Sequence, residues 1–413
     1  MLKNQDIICF GFADWDNPYR TNQHHLMERL SRTNKVLFIE SLGLRRPTFQ
    51  KKDVARILRR LKGWSKGVRK KGENLYVFSP LVVPFHRYSI VRRFNRWFLK
   101  SQLDHIVRKY AFKCPIIWSY IPNAVEFLGR WNEKLSIYHC VDDLSANPLI
   151  PRETVLALEK QFLSRVNVVF TTSKELYLEK SKHNPRTYYM PNVAEFGHFH
   201  KAMHEDTAIP EDIACIPSPR LGFIGAISRY KLDFDMIHDI AIRHPEWSLV
   251  LIGAKGEGEK AVDLGKLEQA KNIHIPGGRP YAALPGYLKG FDVCLLPNVL
   301  NEYTRNMFPM KFFEYMAAGK PIVATELAAL AEFKDYFYVS RTPKEFEDNI
   351  CKALKENNPA VREERVKLAK KYTWETRIDE MSAVIEKALP LTLPSSASRS
   401  KVLPARGEEK SKA

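Results

Sequence analysis

The sequence is poor in the features that mark the simpler answers. Six cysteines stand in 413 residues (Cys9, Cys114, Cys140, Cys215, Cys294 and Cys351), scattered and without a C-x-x-C pair. Most fall in apolar, strand-like runs, so they read as buried, reduced thiols of a cytosolic protein, not as a disulfide frame or a zinc site. No apolar run reaches the roughly 18 residues that a membrane-spanning helix needs. The chain opens on a strand-like stretch, residues 6–12, without a charged segment leading into a long apolar one, so no signal peptide is expected. Acid is short as well: 47 Asp and Glu face 65 Lys and Arg, a formal charge of +18. That excess asks for an anionic partner, whether lipid, nucleic acid or phosphorylated substrate. Zinc spacing, a ribonucleoprotein motif and a helix-turn-helix pattern are missing, so no nucleic acid is expected. The lone G-x-G of GAKGEGEK lacks the dinucleotide spacing and reads as a loop.

What is there suffices for folded cores. Hydrophobic residues make up 45% and charged residues 27%, over a length that suits two ordinary domains. Residues 7–10, IICF, are a short apolar run ending at Gly11. The loop GFADWDNPYRTNQ follows, then a helical stretch over 24–31 and a second apolar run over 36–39. Strand, loop, helix, strand is how a doubly wound α/β domain opens. Ligands in such sheets sit at the carboxyl ends of strands, so the 11–20 loop should face a cleft. Asp14, Trp15, Asp16, Arg20 and His24 are its candidates for substrate contact. The loop also reads as a solvated turn built on Asp and Asn.

Further strands are expected over 115–119 and 135–139. Asp142 and Asp143 follow the second directly, in IYHCVDDLSANPL, which puts two acids at a strand's carboxyl end. They read either as a general base or as a cap for the next turn. A helix over 153–164, a strand over 166–171 and a helix capped by Ser173 continue the alternation.

Two stretches break it. Over 44–72 a run of Lys and Arg is opposed only by Asp53. Over 85–100, Arg87, Arg92, Arg93, Arg96 and Lys100 accompany Ile90, Val91, Phe94, Trp97 and Phe98, which recur at a spacing of three to four. A basic amphipathic helix of this kind suits an anionic membrane surface. In the competing reading Phe94 and Trp97 pack into the core and the arginines are merely solvated.

Residues 200–218 are polar and read as a linker between a first domain, 1–199, and a second, 219–360. Helices over 361–389 and a disordered tail over 390–413 complete the expected layout. In the second domain, strands are expected over 220–225, 247–253, 272–275 and 291–297. Gly225, at the first strand–loop junction, lets backbone approach a phosphate, and Arg229 and Lys231 can add charge there.

The stretch 305–325, RNMFPMKFFEYMAAGKPIVAT, organises the rest. Pro309 suits a helix start, Gly319 a helix stop, and Pro321 cannot continue a helix. Residues 322–325 then read as a buried strand. Lys311, Glu314, Tyr315 and Ala318 share one helix face. A cation, a carboxylate and a phenol near a helix N-terminus suit a diphosphate and a ribose; they also suit an ordinary surface Lys–Glu pair.

The run PMKFFEYMAAGKPIVAT resembles the donor-site helix of GT-B nucleotide-sugar glycosyltransferases, in which the glutamate binds the ribose and the helix N-terminus faces the diphosphate. HIPGGRPYAALPGYL resembles the loop that holds the nucleotide base through backbone atoms, with Pro276–Tyr281 as its lining. VNVVFTTSKELYLEK and MPNVAEFGHF resemble the end of the family's first domain, with Val193 where a glycine is usual. KKYTWETRIDEM resembles the terminal helix that crosses back. The likeness extends to bacterial enzymes of the teichuronic-acid and xanthan-glucuronosyltransferase type, which build surface glycans on polyprenyl diphosphate lipids.

The resemblance implies two Rossmann-like doubly wound domains facing a cleft, with the C-terminal helix crossing back. It implies a donor site at Gly225, Arg229, Lys231, Pro276, Tyr281, Arg305, Asn306, Met310, Lys311 and Glu314. Asp14, Trp15, Asp16, Arg20 and His24 become the acceptor side. The co-substrate is a nucleotide-diphosphate sugar, with neither cofactor nor bound metal, and the acceptor is a glycan or a lipid-linked sugar. The expected place is the inner face of the plasma membrane, peripherally bound. Retaining members often carry two glutamates eight positions apart, and the position eight before Glu314 is Asn306. An inverting displacement is therefore expected, with Asp143 as base and Asp142 as cap. A nucleotide-sugar-binding or assembly protein and an epimerase on the same fold stay open as other classes.

Overall fold

The computed structural model describes residues 1–17, 20–41, 64, 67–81, 89–256, 259 and 262–390. Most of the basic run 44–72, the start of the 85–100 stretch and the tail 391–413 lie outside the described residues.

Two sheets form. The first takes its strands in the order β3 (Val68–Lys70), β4 (Leu75–Phe78), β2 (Lys35–Ile39), β1 (Asp6–Phe10), β5 (Ile116–Ser119), β6 (Leu135–Cys140), β7 (Val168–Thr171) and β8 (Thr187–Tyr189). The second runs β11 (Ile273–His274), β10 (Ser248–Ile252), β9 (Arg220–Ile224), β12 (Val293–Leu296), β13 (Ile322–Thr325) and β14 (Tyr338–Ser340). Among the described residues, these strands all pair in parallel except β3 with β4. Parallel strands covered on both faces read as unbroken apolar runs, as IICF and SLVLI do. Along β1 the residues alternate between two cores: Ile7 and Cys9 face one, Ile8 and Phe10 the other. The strand order reverses beside β1 and again beside β9, and loops following strands at such points form crevices.

The terminal helix, Trp374–Ala388, returns to the first lobe. Trp374, Ile378, Met381 and Ile385 line one side of it and are buried in that lobe's core. Each such side chain is worth on the order of 2 kcal/mol in apolar burial. The stretch 200–218, expected as a linker, is packed instead. Ala202, Ile213 and Ile216 belong to the second lobe's core, and a short helix, Glu211–Ala214, forms within it. Scattered apolar residues in a polar stretch carry no periodic signal, so only packing reveals them.

The helix Ser89–Lys109 extends the expected amphipathic stretch. Its inward face is Leu99, Leu103, Ile106 and Val107. Phe94 and Trp97 turn outward, 45% and 64% exposed, so they do not belong to the core.

His139, on β6, is buried between Trp118, Tyr120 and Phe170, and its Nδ1 has no partner. Burial first, then the charge of Arg377, lowers its pKa to about 3. The folded ring stays neutral where the unfolded one, with a pKa of about 6.5, takes a proton. This contribution is present above about pH 6.5 and is lost as pH falls towards 3. By pH 5 about 2 kcal/mol of it has been lost. Urea unfolding of the parent should therefore lose about that much more stability between pH 7 and pH 5 than His139→Phe does. Parallel curves would refute it.

Candidate active site

The helix Lys311–Ala317 starts behind Pro309 and stops at Gly319, as the sequence suggests. Gly319 has φ of 66°, a conformation that a side chain would strain, and its N–H donates to the Met316 carbonyl at 2.9 Å. The Tyr315 hydroxyl is buried and accepts the Ile224 N–H at 2.8 Å. The phenol expected on the ligand face thus anchors the helix to the end of β9. Lys311 Nζ meets Glu314 Oε2 at 2.6 Å; Glu314 is buried and Lys311 about a quarter exposed.

This pair stands beside the switch point of the second sheet. Gly225 and Gly253 follow β9 and β10, and a Cβ on Gly253 would fall 1.6 Å from the Gly225 carbonyl oxygen. Backbone approaches that closely only without a side chain. Gly225, Gly253, Arg279, Tyr281 and Lys311 line one narrow cavity, together with Arg20 from the first lobe. Arg279 holds the 276–281 loop: it donates to Asp212 at 2.6 Å, to the Tyr287 hydroxyl at 2.8 Å and to the Pro276 carbonyl at 2.6 Å. Tyr281 stacks on His198 at 4.5 Å and donates to Glu195 at 3.1 Å. Burial, reinforced by Glu314 and Glu195, raises the Tyr281 hydroxyl pKa, so it remains a donor.

Residues 218–356 match the family model described as glycosyl transferases group 1. Over these residues the second lobe is similar to the group 1 glycosyl transferases. Together the two lobes have the GT-B fold: sucrose-phosphate synthase from Thermosynechococcus elongatus superposes with a TM-score of 0.66 at 15% identity, over 93% of this chain and 99% of that one. HepE of Anabaena, in complex with UDP-glucose, superposes with a TM-score of 0.65 at 12% identity, over 93% of this chain and 100% of that one. In sequence, the chain is 28% identical over 273 residues to a putative teichuronic acid biosynthesis glycosyltransferase, TuaH, of Bacillus subtilis. That match covers 62% of this chain and 66% of the relative, just under two thirds of its length.

Several of the residues expected at the donor site stand away from this cavity. Arg229 is exposed and lies over the Phe234 ring at 5.2 Å, while Lys231 lies over the Tyr303 ring at 5.3 Å. Arg305 is exposed at the end of the short helix Glu302–Arg305. Met310 packs against the first lobe's core. None of these four lines the cavity.

The acid pair is corrected in one respect. Asp143, expected as the base, itself caps the turn: its Oδ1 accepts from Ser145 N at 2.9 Å, Ser145 Oγ at 2.6 Å and Ala146 N at 3.3 Å. The chain turns directly after β6, which folds this carboxylate back over its own successors. Its Oδ2 accepts from Asn306 Nδ2 at 2.9 Å across the seam between the lobes, and both residues are buried. Arg152 and Glu302 form a second, exposed bridge along the same seam, at 2.7 and 2.9 Å.

The first-lobe loop is tied down rather than open. Glu40 accepts from the Trp15 N–H and from Arg69, each at 2.7 Å, and from the Ser79 hydroxyl. Asp16 pairs with Lys71 and Arg69; burial alone would raise its pKa, but these two cations outweigh it and lower it. His24 is buried, bonded to Thr21 and to the Asp14 carbonyl, with its pKa lowered to about 4 by burial. It is a capping residue that fixes the loop, not an exposed contact. Arg20, expected on the acceptor side, lines the same cavity as Gly225, Gly253 and Lys311. Gly253 and Glu40 were not expected as site or support residues, and Arg279 was expected only as part of the 276–281 lining. Gly253 had a signal, a glycine closing an apolar run; Glu40 had none, because its partners are distant in sequence.

Proposed function

We propose that this chain transfers a sugar from a nucleoside-diphosphate sugar to a glycan or a polyprenyl-diphosphate-linked acceptor in cell-surface polysaccharide synthesis. The observation that carries the reading is the Lys311–Glu314 pair set beside the side-chain-free Gly225–Gly253 junction. There a diphosphate can approach backbone, a carboxylate can take ribose hydroxyls, and a cation can offset charge on the leaving group. The UDP-glucose held by HepE and the teichuronic acid role given to TuaH support the two ends of the reaction. The displacement is inverting, with Asp143 Oδ2 taking the acceptor proton while Asn306 orients it. The test is product analysis with labelled nucleotide sugars and a lipid-linked acceptor. Hydrolysis alone, epimerised donor or binding without turnover would overturn the reading.

The cell-surface role includes an anionic membrane partner, at the inner face of the plasma membrane. Its support is the outward Phe94 and Trp97 beside the exposed Arg93 and Arg96 on one helix. Among the described residues no helix is long and apolar enough to cross a membrane. Phe94→Ser with Trp97→Ser should weaken binding to vesicles containing anionic lipid by about tenfold or more, and added salt should release the parent. Unchanged flotation of the double variant would refute this surface.

A further inference from the structure

We propose that Arg20 grips the diphosphate of the bound nucleotide from the first lobe, opposite Lys311. This rests on the nucleotide-sugar reading above. Among the described residues three cations line the cavity: Arg20, Arg279 and Lys311. Arg279 is committed to Asp212, Tyr287 and the Pro276 carbonyl, bonds that shape the loop. Lys311 is offset by Glu314 at 2.6 Å. A diphosphate brings more negative charge than one paired lysine balances. Arg229 and Lys231, the sequence's candidates for the missing charge, lie over the rings of Phe234 and Tyr303. Arg20 remains.

Its geometry suits the task. Arg20 directly precedes Thr21, the cap of the first helix, Asn22–Leu30, and so is fixed at the carboxyl-end side of β1. Its side chain is about a third exposed, and its ion-pair partner is Glu28, itself 47% exposed. Exposed pairs of this kind are weak, so the guanidinium can leave Glu28 for a ligand. A guanidinium binds phosphate oxygens in a bidentate fork, which a lysine cannot do. The charge is also near the cavity wall, since it bears on both His25 and Tyr281. Because Arg20 belongs to the first lobe and Lys311 to the second, one diphosphate held by both draws the lobes together.

The experiment is calorimetric titration of the full chain with UDP, GDP, dTDP and ADP, and with the nucleoside of whichever binds. Arg20→Ala should weaken the diphosphate by about tenfold or more and leave the nucleoside unchanged. Arg20→Lys should recover only part of the loss. Glu28→Gln frees Arg20 and should tighten the diphosphate by about two- to fivefold. The double variant Arg20→Ala, Glu28→Gln should match Arg20→Ala alone, a non-additivity that a purely structural role does not produce. Melting temperatures near the parent's accompany these results, since both side chains are partly exposed. If Lys311→Ala weakens UDP while Arg20→Ala binds it as the parent does, the Arg20 role falls and the donor site stands. If Glu28→Gln acts equally with and without Arg20, the role falls too. If the parent binds none of the four, the donor reading itself falls.

Discussion

Asn306→Asp should cut sugar transfer at least a hundredfold and open the seam between the lobes. The Asn306 amide donates to Asp143 Oδ2 at 2.9 Å, and both groups are buried. A carboxylate there sets two like charges against each other without water between them. At 4 Å, and with an effective dielectric constant of 20, the repulsion is about 4 kcal/mol. Either one acid takes a proton or the lobes part, and each outcome removes Asp143 from its place. Asp143→Asn alone keeps the shape and can keep the Ser145 cap, but removes the proton acceptor. Transfer should again fall by about a hundredfold or more, with donor affinity near normal. The combination Asp143→Asn, Asn306→Asp transposes the pair and restores the hydrogen bond. It should recover the melting temperature but not the rate, which separates holding the lobes from moving a proton. Full recovery of rate, or a product that retains the donor's anomeric configuration, would show that Asp143 only caps and bridges.

Glu314→Ala should weaken nucleotide-sugar binding by about tenfold or more, through loss of the ribose contact and of the partner of Lys311. Lys311→Ala should act mainly on turnover, by about a hundredfold, if its charge counts most when the diphosphate leaves. The two are in contact at 2.6 Å, so their effects should not add. Steady-state kinetics reads the split between KM and kcat. An ordinary structural pair would instead lower the melting temperature in both variants and leave both constants alone.

Much of the second lobe was legible because its signals are local. Pro309, Gly319 and Pro321 bound the helix Lys311–Ala317, and IVAT reads as the buried strand β13. The crossing of the terminal helix was legible only through the resemblance carried by KKYTWETRIDEM, and the burial of Trp374, Ile378, Met381 and Ile385 in the first lobe agrees with it. The roles of the acids were not. Asp142 and Asp143 are adjacent, and local chemistry treats them alike; what marks Asp143 is an amide 163 positions away. Phe94 and Trp97 share the spacing of a core stripe, and only the packing of Leu99, Leu103 and Ile106 on the other face turns them to solvent.

By itself, the sequence determined the alternation of strands and helices, the two Rossmann-like halves and the Lys311–Glu314 face. Each depends on periodicity, on turn residues or on neighbours three to four positions apart, and these act along the chain. The tertiary structure decided which acid meets Asn306, which cations reach the cavity and which aromatic residues stay outside. Those outcomes depend on distances between segments far apart in the chain. Arg20 and Lys311 stand 291 positions apart in sequence and yet line one cavity, because two separately wound sheets turn their switch points towards each other.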